Sequence, residues 1–267
     1  MAFWGDYHTH TTYSHGRGTV EENVQRAIEL GLKEIAITDH GFKHMTYNVR
    51  RMDWPYLEKE VKALREKYPE IKILLGLETN FNSADGNIDV LPSEIEKLDI
   101  VVCGYHAFCK PDKLGDIFKF WLPNLMLKLT RRKSPKWKLK NTNTYIKAIE
   151  KNTIDIVSHP NYDMIIDVVE VAKACKHFGT YLELNGRKIQ ISDEELEKVA
   201  ATGVEFVCNS DAHHVGDVGE ISKAIETIKR VGIPYSQIAN WERFPILRSQ
   251  KLKKVLYKSD AQLIEEK

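Results

Sequence analysis

Short apolar runs alternate with amphipathic stretches along the whole chain. Seven runs have the length and residue content of buried strands, and they cover residues 2–8, 34–38, 71–77, 100–105, 154–158, 180–184 and 204–209. Between them apolar residues recur at helical spacing, which predicts helices near residues 19–31, 53–67, 92–98, 141–151, 163–178, 192–202 and 219–231, with two shorter ones within 235–248. Strands that alternate with helices predict an α/β fold with a parallel sheet and right-handed crossovers.

A polar residue suited to chemistry follows six of the seven predicted strands. These residues are His8 with His10, His40, Glu78, His106, His159, and Asp211 with His213. In a closed α/β barrel the carboxyl ends of all strands meet at one mouth, which is where such enzymes keep their active sites. In an open sheet the outermost strands would lie too far apart to share one site. The placement therefore favours a barrel.

Histidine dominates this set of residues. Alternate side chains of a strand share a face, so His8 and His10 point the same way. Neutral imidazole is the commonest metal ligand in proteins. A His-x-His pair is ordinary by itself, but seven of the ten histidines fall at strand ends or in the adjoining loop, at positions 8, 10, 15, 40, 106, 159 and 213. This regular placement predicts a metal centre. His44 and His177 fall away from the strand ends and are predicted to lie on the surface.

Composition narrows the possibilities further. A chain of 267 residues suits one large domain, taken here as residues 1–267. Lys and Arg total 39 against 38 Asp and Glu, so the global charge does not point to nucleic acid. No leader pattern and no apolar run long enough to span a membrane is present, and the 4 scattered cysteines are typical of reduced thiols. We expect a soluble, cytoplasmic protein with no membrane partner.

Six motifs resemble those of the PHP family, named after polymerase and histidinol phosphatase. The motifs are His8-Thr9-His10, Thr38-Asp39-His40, Gly76-Leu77-Glu78, Gly104-Tyr105-His106, Ser158-His159-Pro160 and Asn209-Ser210-Asp211-Ala212-His213. Their order and spacing match over nearly the whole chain. The resemblance implies a small stand-alone phosphoesterase with a distorted seven-stranded (β/α) barrel. It also implies three divalent metal ions, Zn, Mn or Fe, at the carboxyl ends of the strands.

The resemblance implies a role for each residue. The first metal ion would be held by His8, His10, Glu78 and Asp211. Glu78 would bridge to the second ion, which would also be held by His106 and His159. The third ion would be held by His15, His40 and His213. All nine positions carry the expected residue type, which argues against a non-catalytic family member. Glu78, Asp211 and His213 are expected to act in catalysis as well as in metal binding.

Such a site suits phosphate esters on chemical grounds. Three divalent ions bound by two carboxylates and seven imidazoles leave a positive site that attracts a phosphate dianion. A metal-activated water can attack phosphorus in line, so no Ser or Cys nucleophile is required. A metal-bound water or a side chain could protonate the leaving alkoxide. Asp211 and His214 are the candidate side chains, and an exposed loop histidine is the favoured alternative for His214. Asp6 and Asp39 either orient an imidazole or serve packing and capping.

Phosphate recognition is expected from arginine side chains at the mouth. Arg187 follows the sixth predicted strand and is the first candidate, because a guanidinium can bind phosphate through two parallel hydrogen bonds. Arg17, in the loop beside His15, is the second candidate. The alternative for both residues is a solvated surface charge.

The segment 107–140 departs from the compact family pattern. It contains an apolar run at 117–127, followed by seven basic residues up to Lys140 without an intervening acid. Because it follows His106, it must emerge at the mouth of the barrel. Loops of this length are usually lids, binding elements or disordered. We expect an insert over the mouth that closes on substrate.

Two enzymatic functions fit these observations. The leading hypothesis is a metal-dependent phosphatase that hydrolyses a small phosphomonoester, such as histidinol phosphate or a nucleotide. The alternative is a nuclease or phosphodiesterase whose basic segment binds a nucleic-acid backbone. A non-catalytic metal-binding module is a third class, which the complete ligand set disfavours. The substrate, the native metal and the oligomeric state are left open by the sequence.

Overall fold

Seven parallel strands form one sheet in chain order in the computed structural model, which describes residues 2–253. The strands β1 to β7 are Gly5–Asp6, Glu34–Ile37, Lys72–Asn80, Ile100–Gly104, Ile156–Val157, Tyr181–Asn185 and Phe206–Asn209. The two ends of the sheet meet just beyond β1 and β7, where Thr9 pairs with Ala212 in a parallel bridge. The amide of His10 also donates to the carbonyl of Ala212 at 2.8 Å. The sheet is therefore a nearly closed barrel, which confirms the predicted fold.

Helices occupy the connections between successive strands. The helices α1 to α9 are Val20–Glu29, Trp54–Lys67, Pro92–Ile95, Leu114–Asp116, Leu122–Thr130, Pro135–Lys151, Val168–Phe178, Asp193–Ala201 and Ser222–Val231. The first begins at a capping box, in which the Thr19 side chain accepts from the amide of Glu22 and the Glu22 carboxylate accepts from the amide of Thr19. No helix within residues 2–253 is long and apolar enough to cross a bilayer.

Alternation along the strands separates two layers of core. One set of alternate residues packs outward against the helices. The other set fills the barrel interior with a plug of apolar side chains, made of Tyr7, Ala36, Leu74, Ile100, Val102, Ile156, Tyr181 and Val207, together with Ala239 and Leu247. Further along the same inward face, four residues after Leu74 in β3 and two residues after Tyr181 in β6, the sequence becomes polar, so that Glu78 and Glu183 stand above the plug. The apolar interior thus ends where the polar site begins.

Several boundaries differ from the predicted ones. Strands β1 and β5 contain only two residues each, whereas runs of seven and five were predicted. After Asp6 the ladder is interrupted because the amide of Tyr7 donates to the side chain of Asn209 rather than to a backbone carbonyl. Helix α7 begins five residues later than predicted, with Asp167 as its N-cap. The two helices expected within 235–248 are instead a 3-10 turn at Tyr235–Gln237 and irregular chain.

The segment 107–140 is helical rather than a simple loop. It forms α4, a π-helical turn at Ile117–Trp121, α5 and the first part of α6. Phe120 is buried in the main core and packs edge-to-face on Tyr105. The indole nitrogen of Trp121 donates to the carbonyl of Ala107 at 2.6 Å. The predicted start of the next helix at residue 141 was too late, because Ser134 caps a helix that begins at Pro135.

Candidate metal centre

All nine side chains that the sequence predicted as ligands converge at the carboxyl ends of the strands. Their donor atoms fall into four groups, and within each group the atoms lie within 4.8 Å of one another. The groups are His8, His10 and Asp211; His8, Glu78 and His159; His40, Glu78 and His106; and His10, His15, His40 and His213. Six different strand ends therefore contribute to one site.

Glu78 lies at the centre of this site. Its Oε1 atom is 2.7 Å from Nε2 of His159 and 3.5 Å from Nε2 of His106. Its Oε2 atom is 3.0 Å from Nδ1 of His40 and 3.4 Å from Nε2 of His8. The two oxygens of one carboxylate thus face two different sets of imidazoles. This is the arrangement that a bridging ligand requires.

The two histidines of the first motif aim at a common point, as the strand periodicity predicted. Their Nε2 atoms are 3.2 Å apart, and Oδ1 of Asp211 lies 3.4 Å from Nε2 of His10 and 3.7 Å from Nε2 of His8. On the other side of His10, the rings of His15, His40 and His213 have centroids 4.4 to 5.5 Å from its own. His10 therefore stands between two groups, a position that the sequence did not predict.

The donor set fits divalent cations. Within each group the lone pairs of imidazoles and carboxylates point at a shared position. Because a neutral imidazole has a single N–H donor, these rings cannot satisfy all of the acceptor atoms by hydrogen bonds to one another. Nδ1 atoms of His10, His15, His106 and His159 are also buried without a hydrogen-bond partner in the described part of the chain. Nitrogen and carboxylate oxygen together are the ligand types that Zn, Mn and Fe accept. The residues present therefore suit the metal ions that the sequence implied.

Burial keeps several of these imidazoles neutral. It lowers the pKa of His40 to about 3 and, together with the charge of His213, lowers the pKa of His15 to about 4. The neutral imidazole is the form that binds metal. Burial also favours a neutral Glu78, but His106, His8 and His40 outweigh it and hold the pKa of that carboxyl well below its ordinary value. Glu78 is therefore an anion, and its charge in turn raises the pKa of His8 and of His159 despite their burial.

A second buried carboxylate, Glu183, fixes the first histidine. Oε1 of Glu183 lies 2.8 Å from Nδ1 of His8, and its Oε2 accepts from the amide of His159 at 2.8 Å. The side-chain amides of Asn185 and Asn209 also donate to the Glu183 carboxylate, at 3.0 Å each. A carboxylate on the far nitrogen of a ligating histidine fixes the tautomer and makes the ring a better ligand. The sequence analysis missed Glu183, although an acid within an apolar strand was a signal for it.

Asp6 and Asp39 serve packing and capping, the second of the two roles that the sequence left open for them. Asp6 accepts hydrogen bonds from the hydroxyl of Ser210 and from the amides of Ser210 and Gly219. Asp39 accepts from the amide and hydroxyl of Thr11 and from the hydroxyl of Ser14. Both carboxylates therefore hold the loops that carry ligands, and neither contacts an imidazole nitrogen.

The backbone is strained at two of the candidate ligands, and the packing beside one of them, His159, is close. His159 has φ of 24° and Asp211 has φ of 54°, both in the left-handed region that non-glycine residues seldom adopt. A Cβ atom on Gly104 would collide with Oγ of Ser158 and would lie 2.8 Å from Cε1 of His159. Strained positions of this kind persist where the surrounding structure over-determines them, as at functional sites. The glycine of the fourth motif is thus required by close packing.

The site opens into a cavity of about 690 Å³. Arg187 and Arg17, the two predicted phosphate-binding residues, line it and are exposed. Nη1 of Arg187 donates to the carbonyl oxygen of Asp211 at 3.3 Å and lies against the ring of His213. His214 also lines the cavity as an exposed residue. The structure therefore brings both arginines to the ligand cluster.

The outer part of the cavity contains Lys128, the first of the seven basic residues that follow the apolar run of the segment 107–140, together with residues that the sequence did not single out. Nζ of Lys128, from α5, lies 2.7 Å from Oδ2 of Asp163 and 5.6 Å from the ring of Phe108. Nζ of Lys188 lies 5.2 Å from the ring of Tyr162. Cationic and aromatic side chains from separate loops thus surround the entrance. Lys128 brings the segment 107–140 to the mouth.

The prediction for His44 was wrong. His44 is only 6% exposed, and its ring stacks on His40 with centroids 5.0 Å apart. The chain after His40 folds back on itself, since the amide of Val49 donates to the carbonyl of His40 and the amide of Met45 donates to that of Phe108. A loop position therefore became an inner wall of the site. His177 is exposed, as predicted.

Comparison with known proteins agrees with this description. The PHP domain model matches residues 6–244, and the chain belongs to the PHP domain family. A probable phosphatase of Thermoanaerobacter sp. (strain X514) is 31% identical, over 93% of this chain and 95% of its own length. A probable phosphatase of Caldanaerobacter subterraneus subsp. tengcongensis is 30% identical, over 88% of this chain and 86% of its own.

The fold has a solved counterpart. A histidinol phosphate phosphatase from Lactococcus lactis subsp. lactis, complexed with zinc, L-histidinol and phosphate, superposes with a TM-score of 0.55. The match covers 86% of this chain and 94% of the other at 18% identity. The predicted family and barrel are confirmed, and the names of the relatives agree with the predicted class of enzyme, a hydrolase of phosphate esters.

Proposed function

We propose that this protein is a metal-dependent phosphatase that hydrolyses a small phosphomonoester. The observation that carries the proposal is the convergence of two carboxylates and seven imidazoles at one mouth of the barrel. Membership of the PHP family and the names of the relatives support the broader class of phosphoesterase. Histidinol phosphate or a nucleotide is the kind of substrate we expect.

The metal ligands in this proposal are those named from the sequence. His8, His10 and Asp211 would hold one ion, His106 and His159 a second, and His15, His40 and His213 a third, with Glu78 bridging the first two. Divalent ions bound there would accept phosphate oxygens and lower the pKa of a water molecule towards about 7. Glu183 acts as a positioning residue, because its hydrogen bond to His8 sets which nitrogen of that ring is free to bind.

Arg187 and Arg17 are the proposed phosphate-binding residues. Both line the cavity, and Arg187 is held at the rim by the carbonyl of Asp211. A guanidinium can contact two phosphate oxygens at once, which orients the ester as well as neutralising it. The phosphate would then lie between the arginines and the ligand cluster.

The attacking group in this proposal is water. No Ser, Thr or Cys is among the cavity-lining side chains within residues 2–253. The hydroxyl of Ser158, which is close by, donates to Glu78 and is fully buried. Asp211 and His214 remain the candidates to donate a proton to the leaving alkoxide, since both line the cavity.

The cavity favours a small ester over a nucleic-acid strand. Its volume of about 690 Å³ lies within the range of small-molecule sites. Of the basic run from Lys128 to Lys140, Lys128 is the member that lines the cavity within the described residues. Arg131, Arg132 and Lys133 are exposed beyond the end of α5. A nuclease would need such cations to form a track that leads into the site.

The test is a substrate panel. The purified protein, supplied separately with Zn, Mn and Fe, is assayed against phosphomonoesters that include histidinol phosphate and nucleotides, and against single-stranded oligonucleotides. We expect metal-dependent release of phosphate from one or more monoesters. Efficient cleavage of oligonucleotides with negligible monoesterase activity would favour the nuclease instead.

A further inference from the structure

One helical face of the segment 107–140 exposes a row of apolar side chains. The apolar stripe consists of Leu114, Phe118, Leu122, Met126 and Leu129, which recur at three- to four-residue intervals through α4, the π-helical turn and α5. Leu114 is 81% exposed, Phe118 71% and Leu129 68%. At this spacing all five lie along one side of the helix.

The opposite face of the same helix packs against the protein core. Phe120 and Asn124 are buried on that face, and Leu125, at the edge of the apolar stripe, packs against the main core. The helix therefore has apolar side chains on two sides. Such a composition is typical of a helix that is buried on both sides. Within the described residues the apolar stripe has no partner, and exposed apolar surface of this kind marks an interaction site.

Basic residues dominate the charge around the carboxyl-terminal part of the apolar stripe, whereas Asp116 lies in α4 between Leu114 and Phe118. Between Ile117 and Ile149 the sequence contains no acid. Its basic residues include Arg131, Arg132 and Lys133, all exposed at the turn between α5 and α6, together with the exposed Lys119 in the π-helical turn and the exposed Lys136 in α6. The partner must therefore offer apolar contact and negative charge together.

These two features select one kind of partner. A second copy of this chain would bring two such basic surfaces together, which Coulomb repulsion opposes. A nucleic acid would stack on aromatic rings, but four of the five side chains in the apolar stripe are aliphatic or Met. Phe118 borders a groove beside Trp137 of α6, but the other four side chains of the stripe do not line it, so the stripe as a whole does not suit an inserted peptide helix.

We propose that the apolar stripe and the adjoining basic turn form a docking surface for an anionic lipid bilayer. Apolar side chains enter the boundary between headgroups and acyl chains, while Arg131, Arg132 and Lys133 contact the anionic headgroups. Lys128, which lines the catalytic cavity, directly precedes Leu129 of the apolar stripe. Docking therefore brings the mouth of the barrel close to the membrane surface. The sequence has no apolar run long enough to span a bilayer, but docking on a bilayer surface requires no such run.

The experiment is sedimentation of the full-length protein with vesicles. One set contains three parts phosphatidylcholine to one part phosphatidylglycerol, and the other contains phosphatidylcholine alone. The charge variant is Arg131→Gln with Arg132→Gln and Lys133→Gln, and its control is Lys59→Gln with Lys62→Gln and Lys97→Gln, three exposed lysines elsewhere. The apolar variant is Phe118→Ser with Met126→Ser and Leu129→Ser, and its control is Met52→Ser with Tyr56→Ser and Ile246→Ser.

We expect the unmodified protein to bind the anionic vesicles, with an affinity that falls as salt rises. Taking each basic residue as roughly fivefold in affinity, the charge variant should bind about 100-fold more weakly. The apolar variant should bind at least roughly tenfold more weakly, and both controls should bind like the unmodified protein. Circular dichroism confirms that each variant is folded. Failure of the unmodified protein to bind, equal loss in variants and controls, or preferential binding of an oligonucleotide at the same surface overturns the proposal. Turnover of a soluble monoester tests the catalytic function separately.

Discussion

Oε1 of Glu183 lies 2.8 Å from Nδ1 of His8, and both side chains are fully buried. The contact joins β6 to the loop after β1, across 175 positions of the sequence. It fixes His8 so that Nε2 faces Glu78 and Asp211.

The first prediction concerns this contact. Glu183→Gln should weaken metal binding by roughly 10- to 100-fold, because the amide no longer orients and polarises His8. Glu34→Gln is the matched control, since Glu34 is a buried acid at the other end of the barrel that bonds to Tyr7 and Lys72. Competition with a chelator measures the affinity. If the metal affinity of Glu183→Gln falls by less than about twofold, Glu183 has no positioning role.

The second prediction is that the purified protein binds close to three divalent metal ions, and that Glu78→Ala loses two of them. The two oxygens of Glu78 face separate groups of imidazoles, so one substitution should empty both positions. His15→Ala, which alters only the outer group, should lose one ion at most. Elemental analysis of both variants decides the matter, and a Glu78→Ala protein that loses one ion or none would rule out bridging.

The third prediction is stereochemical. Hydrolysis of a chiral thiophosphate monoester should invert the configuration at phosphorus, because water attacks directly. The cysteines are poor alternatives, since burial raises the pKa of the Cys103 and Cys208 thiols well above their ordinary value. Retention of configuration would demand a covalent phosphoenzyme and would contradict the proposed mechanism.

The fourth prediction concerns Gly104. Gly104→Ala should displace the ring of His159 and lower both metal content and phosphatase activity by at least roughly tenfold, because the added methyl group has no space. Gly115→Ala is the control, since a Cβ there meets nothing within 4 Å. Equal activity of the two variants would show that His159 tolerates displacement.

The fifth prediction links pH to stability through Asp155. Burial raises its pKa to about 6, although it accepts hydrogen bonds from the amides of Val101 and Ser249. Because the folded pKa lies above the unfolded value, the stabilising contribution is complete below about pH 4 and is lost as the pH rises through about 6. The free energy of unfolding, relative to Asp155→Asn, should therefore fall by on the order of 3 kcal/mol between pH 4 and 7.

Urea unfolding at several pH values measures this difference. The exposed Asp85, replaced by Asn, is the control and should show no comparable pH dependence. Histidine protonation at the metal centre affects all three proteins alike and cancels in the comparison. A pH-independent difference between the unmodified protein and Asp155→Asn would contradict the shifted pKa.

Much of the candidate site could be read from the sequence, for a physical reason. Each predicted ligand except His15, which lies in the loop after the first strand, stands at or close to the carboxyl end of an apolar strand, and parallel strands bring those ends to one edge. The periodicity of a strand also placed His8 and His10 on one face. The apolar pattern of each strand and the parallel direction of the chain were enough to place Glu78, His106 and His159 at this edge.

Tertiary structure decided the contacts between residues that are distant in the chain. Glu183 looked like one residue of an apolar strand until the barrel brought it against His8, and His44 became an inner wall because its loop folds back on Phe108. The segment 107–140 was predicted as an insert over the mouth, and only the structure showed that it is helical, with Phe120 facing the core and Phe118 facing solvent. A linear sequence specifies strand ends and their ligand types, whereas the neighbours of a side chain depend on how separate elements pack together.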